Sequence, residues 1–150
     1  MREEVYEFLK AMGFTRDELH AFQDENEKMF FTNLVEVNKN IDFLKNKGLS
    51  KEEIMHVFRM DPYMITVKNN RLAALDKIYF EDLSMDSESV KMLIIQNPDT
   101  YICSVTELNK NIEYLKEQNY TMESVRNFLL SNPHLVSMSP EEFRNAVEQK

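Results

Sequence analysis

The sequence predicts an all-α protein: a right-handed helical-repeat superhelix (solenoid) of about four helix–helix–3₁₀ units, closed by a C-terminal capping helix. Three observations predict it. Asn38–Lys45 (NKNIDFLK) returns 71 residues later as Asn109–Lys116 (NKNIEYLK), with only Asp/Glu and Phe/Tyr exchanges between the copies. Pro62, Pro98 and Pro133 stand 36 and 35 residues apart, each preceded by Asp61, Asn97 or Asn132. Such Asx–Pro steps stop helices, because proline drives the residue before it out of the α region. Gly13, Gly48, Ser84 and Asn119 share a third column, two residues ahead of the N-cap candidates Thr15, Ser50, Asp86 and Thr121. Gly and Asn tolerate the left-handed conformation that ends many helices, so this column predicts positive φ, with Ser84 its weakest member. The units run 1–32, 33–67, 68–103 and 104–138, with the cap at 139–150, in one repeat domain spanning 1–150.

Taken in order, residues 2–12 form a first helix with Val5, Leu9 and Met12 on one face, ended by Gly13. Thr15 starts a second helix, with Glu18 completing a capping box and Leu19 and Phe22 facing inward. In Asp24–Thr32 the Asx column holds Asn26, but Glu27 replaces the proline. This degenerate turn is expected to return Met29, Phe30 and Phe31 to the core. Asn33 and Glu36 open the second unit, whose long helix carries Val37, Ile41 and Leu44. After Gly48, Ser50 and Glu53 form a capping box for a short helix with Ile54, Val57 and Phe58 inward. That i, i+3, i+4 triplet recurs as Val90, Leu93, Ile94 and as Val125, Phe128, Leu129, which marks a buried helix face.

Behind each proline lies a short apolar run: Met64–Val67, Thr100–Cys103 and Leu135–Met138. Each is too short for a strand and reads as a turn of 3₁₀ helix. The third long helix, about 69–83, is irregular and holds the extra residue behind the 36-residue period. From Ser104 the pattern returns in Leu108, Ile112 and Leu115. Ser139, Pro140 and Glu142 supply N-cap, N1 proline and N3 acid for a last helix, Phe143–Lys150, the end cap that a solenoid requires.

A chain of 150 residues with 43% apolar and 11% aromatic residues can bury a core and is not a disordered polymer. Its net charge of −8 opposes sequence-independent attraction to nucleic acid or anionic membrane. One cysteine allows no internal disulfide and no CxxC motif. No apolar run reaches the ~18 residues of a membrane span. Met1-Arg2-Glu3-Glu4 is too acidic for a signal or transit peptide, so a cytoplasmic protein is expected.

The unit of long helix, Leu44-x-x-x-Gly48-Leu49-Ser50-x-Glu52-Glu53-Ile54, short helix, Pro62 and apolar turn resembles the mitochondrial transcription termination factor (mTERF) repeat over nearly the whole chain. The Trp-Leu-Gly-Tyr framework of tetratricopeptide repeats and the Thr-Pro-Leu-His of ankyrin repeats are absent. The resemblance implies an α-helical superhelix whose members often bind double-stranded nucleic acid along a basic concave face.

No catalytic constellation, metal site or cofactor motif stands out. His20, His56 and His134 fall in different repeat columns without an HExxH motif and read as surface or half-buried helix residues. Cys103 shares a column with Val67 and Met138 and reads as a small core hydrophobe. Met12, Met29, Met64 and Met138 fit core positions, and Glu52–Glu53 and Glu141–Glu142 suit first helical turns, where the macrodipole favours acids.

Charge is more informative. Residues 37–72 are the one segment in which bases outnumber acids, seven against four. Its Lys39, Lys45, Arg59, Lys68 and Arg71, with Asn70, are the candidate anion- or partner-binding residues; the competing reading is an ordinary solvated face. Lys68 and Arg71 stand where the other units place a polar N-cap and an acid three residues on. Two cations there oppose the macrodipole, and a local rule broken without evident gain points to a phosphate or carboxylate site. The alternative is that Asn69 or Asn70 caps a slightly shifted helix. These readings predict a non-enzymatic scaffold for a macromolecular partner, a protein before a nucleic acid because of the net charge. The alternative is a nucleic-acid-binding protein related to transcription termination factors, using the basic second unit.

Overall fold

The computed structural model describes residues 1–149, and among them there is no strand. Nine α-helices run mostly in pairs, each pair followed by a single 3₁₀ turn, in this described part of the chain, an all-α helical repeat. The chain divides into two compact bodies, Met1–Asn69 and from Asn70 onward.

The first body holds α1 (Glu3–Met12), α2 (Arg16–Glu25), a 3₁₀ turn (Glu27–Phe30), α3 (Leu34–Asn46), α4 (Lys51–Met60) and a second 3₁₀ turn (Pro62–Ile65). Thr15 and Ser50 close reciprocal capping boxes with Glu18 and Glu53, and Asn33 accepts from the Glu36 N–H. The helical periodicity buries Val5, Leu9, Leu19, Phe22, Val37, Ile41, Leu44, Ile54, Val57 and Phe58 completely or nearly so. Phe14 joins this core, edge-on to Phe22 at 5.3 Å and stacked on Phe58 at 6.4 Å. Of the expected Met29-Phe30-Phe31 run, only Met29 enters the core; Phe30 is 47% and Phe31 78% exposed. A 3₁₀ turn has three residues per turn, so three consecutive side chains cannot share one buried face.

The second body begins within α5 (Asn69–Asp76), which runs on as a π-helical turn, Lys77–Asp82. That turn accommodates the additional residue of the 36-residue period without breaking the helix. Then follow α6 (Ser87–Gln96), a 3₁₀ turn (Pro98–Tyr101), α7 (Val105–Glu117), α8 (Met122–Ser131), a 3₁₀ turn (Pro133–Leu135) and α9 (Pro140–Glu148). Asp86, Ser104, Thr121 and Ser139 each cap the N–H three residues on. Leu108, Ile112 and Leu115 face the core with Val125, Leu129 and Phe143. Lys150, the predicted end of the last helix, lies outside the described residues.

All four members of the C-cap column take positive φ: Gly13 at 125°, Gly48 at 91°, Ser84 at 52° and Asn119 at 70°. Three of them close Schellman motifs, in which Phe14, Leu49 and Tyr120 donate back to Leu9, Leu44 and Leu115. After the π turn the return bonds run wider, from Met85 N–H to Tyr79 and from Leu83 N–H to Ile78.

Candidate functional site

In the first body the two 3₁₀ turns lead into α3 and toward α5, and a groove of about 460 Å³ lies along them. Its lining includes three lysines, Lys28, Lys39 and Lys68, against one acid, Glu36. Phe31 and Thr32 also line it. The Lys28 carbonyl accepts from the N–H of both Phe31 and Thr32 at 3.0 Å, so these three residues share one tight turn.

The floor is held by two buried asparagines. Asn26 donates Nδ2 to the Pro62 carbonyl (3.2 Å) and to Thr66 Oγ1 (2.8 Å), while its Oδ1 accepts from the Lys28 N–H. Asn40 donates Nδ2 to the carbonyls of Ile65 and Val67, both at 2.9 Å. Each asparagine thereby satisfies backbone groups that a short turn leaves unpaired. The result is a backbone fixed on both sides of a cationic groove. Thr32 is 4% exposed, and its hydroxyl has no hydrogen-bond partner among the described residues.

Of the candidates read from the sequence, Lys39 and Lys68 meet in this groove, and the others do not. Arg59 pairs with Glu18, holding that carboxyl below its usual range, and its guanidinium lies 5.1 Å from the Phe14 ring centre. Lys45 is exposed in the last turn of α3, where a cation complements the macrodipole. Asn70 is exposed in the first turn of α5.

Arg71 reaches from that turn to donate to the Ile102 carbonyl at 2.8 Å. It is therefore a clamp on the exit of the Pro98–Tyr101 turn. In the same body Tyr79 donates to the Thr100 carbonyl and Tyr101 to Asp76, and burial raises both phenols above their usual range. The groove thus sets Lys28 and Lys39 beside Lys68, while Arg71 belongs to the scaffold.

Lys28, Phe31 and Thr32 are the groove residues that sequence reasoning missed. The signal was the missing proline: a turn with Glu27 in that place need not seat its apolar residues as the others do. His20, His56 and His134 are exposed. Cys103 is half-buried, burial pushes its thiol up to about 11, and it donates to the Thr100 carbonyl. Met29 and Met64 are buried, whereas Met12 and Met138 are only half so. Among the described residues no group of His, Cys, Asp and Glu could hold a metal ion, and no helix is long and apolar enough to cross a membrane.

Comparison with known proteins places this architecture. The chain is 18% identical over 136 residues to the protein named transcription termination factor 3, mitochondrial, of Drosophila melanogaster. The match covers 90% of this chain but only 38% of that relative. A mitochondrial relative overturns the cytoplasmic expectation. The acids that prompted it, Glu3 and Glu4, are first-turn residues of α1, where the macrodipole favours them, and carry no address. The mTERF family profile matches residues 1–143. By that match, on a fold of helix pairs punctuated by 3₁₀ turns, the chain belongs to the mTERF family.

Proposed function

We propose that this chain is a non-enzymatic nucleic-acid-binding module of a mitochondrial transcription termination or regulation factor. The observation that carries the reading is the lysine groove of the first body, seated in a chain whose family match is nearly end to end. A net charge of −8 does not oppose this reading, because the acids lie mainly outside the segment that supplies the groove. Phosphate contact is local: lysines displace condensed counterions one by one, whatever the distant total. The expectation of a protein partner leaned on that total, which a local lysine groove outweighs. Like its relative, the chain is placed in mitochondria by this proposal.

The test is fluorescence anisotropy with labelled duplex DNA, structured RNA and single-stranded oligonucleotides at 50 and 200 mM salt. Binding should weaken steeply with salt, and combined Lys28→Ala, Lys39→Ala and Lys68→Ala changes should flatten that dependence by roughly 0.7–0.9 per lost phosphate contact. Absence of salt-sensitive binding to every probe would reject the proposal.

A further inference from the structure

Phe31 is 78% exposed, the most exposed large hydrophobic side chain of the described residues, and it lines the groove beside Lys28, Lys39 and Lys68. Its repeat column holds Thr66, Ile102 and Ser137 in the other units, so the first unit alone carries an aromatic residue here. A bare aromatic face among cations is a poor surface for water and a good one for a planar, anionic ligand. Thr32 lines the groove too, but its hydroxyl is buried beneath the surface, which leaves the ring and the lysines to meet an occupant.

We infer that the groove takes an unpaired polynucleotide strand, one base of which stacks on Phe31 while Lys28, Lys39 and Lys68 hold the flanking phosphates. This rests on the nucleic-acid reading above and adds which form of nucleic acid this groove receives. Charge complementarity selects an anionic occupant. The exposed ring then selects among anions, because a base inside a duplex has both faces covered by its neighbours and reaches a side chain only after unstacking. A groove of about 460 Å³ is on the scale that admits a nucleotide.

The chain contains no tryptophan, so Phe31→Trp installs a single fluorescent reporter. Wild-type protein, Phe31→Trp and Phe31→Leu are titrated with a 12-nucleotide oligo(dT) and with a DNA hairpin of mixed sequence. The single strand should bind more tightly than the hairpin. Phe31→Leu, which keeps apolar bulk but removes the ring, should weaken single-strand binding about tenfold with an unchanged salt slope, as loss of one stacking contact requires. Phe31→Trp should bind as wild type does, with saturable quenching of its emission.

Preference for the hairpin, or a silent Phe31→Leu in a protein that still binds with salt sensitivity, overturns the stacking role and leaves the nucleic-acid reading standing. No binding to either probe overturns the inference, and the structured-RNA titration then decides whether the nucleic-acid reading falls with it. Sedimentation showing self-association that Phe31→Leu abolishes assigns the ring to a second copy of the chain and likewise overturns the inference.

Discussion

Asn40 and Asn111 stand 71 residues apart, and each donates Nδ2 at 2.9 Å to a carbonyl two residues ahead of a helix start, Val67 before α5 and Met138 before α9. Both side chains are 1% exposed. The identity of Asn38-Lys39-Asn40 and Asn109-Lys110-Asn111 thus has a physical reason: a buried amide ties each long helix to the exit of the 3₁₀ turn that closes its unit. In the third unit Leu75 takes the asparagine's place, and Arg71, one turn earlier, supplies the donor to Ile102 instead.

The first prediction concerns this clamp. Asn40→Ala removes two hydrogen bonds and leaves the Ile65 and Val67 carbonyls without their donor, which should cost about 2–3 kcal/mol. Asn111→Ala, with one such bond, should cost about 1–2 kcal/mol. Urea denaturation of the two variants checks the order. Equal losses, or none, would mean that the amides only fill space.

The second prediction concerns the left-handed column. Gly48 holds φ of 91°, a conformation that costs an L side chain, so Gly48→Ala should cost roughly 1 kcal/mol. Gly13→Ala should cost more, because φ of 125° lies farther from the left-handed helical region than 91° does. Ser84→Gly should have the opposite sign, stabilising by about 0.5–1 kcal/mol, since serine holds φ of 52° at a steric cost that glycine lacks. Thermal melts of the three variants give the ranking directly.

These cases divide what the sequence exposes from what it hides. Caps, C-caps, 3₁₀ turns and inward faces are legible because each is set by residues within one or two turns of chain. Even the π turn is announced, as an extra residue in one period. The groove is only half legible. Lys39 and Lys68 are visible as charge, but their meeting depends on how two turns pack. Phe31 misleads, because an aromatic residue beside Met29 and Phe30 reads as core until the turn geometry turns it outward. Arg71 misleads in the other direction: it stands beside Lys68 in sequence, while its partner carbonyl belongs to a residue 31 positions away.

That last pair supplies the third prediction, which separates binding from scaffolding. Lys68 immediately precedes α5, in the column where Asn33, Ser104 and Ser139 each accept a hydrogen bond from the N–H three residues on. Lys68→Ser restores such a cap and removes a cation from the positive end of the macrodipole, so it should stabilise the protein by about 0.5–1 kcal/mol. It should also weaken nucleic-acid binding and reduce the salt slope by one contact, since Lys68 lines the groove. Arg71→Glu places an acid at the position of Glu36 and Glu107, which by the local rule alone should stabilise as well. The structure predicts the reverse, because the Ile102 carbonyl loses its guanidinium donor: a loss of about 1 kcal/mol, larger than the few tenths that the macrodipole returns. Paired urea melts and anisotropy titrations on the two single variants decide it. If Arg71→Glu stabilises the chain, the contact to Ile102 carries no weight; if Lys68→Ser leaves both affinity and salt slope unchanged, Lys68 does not belong to the binding surface.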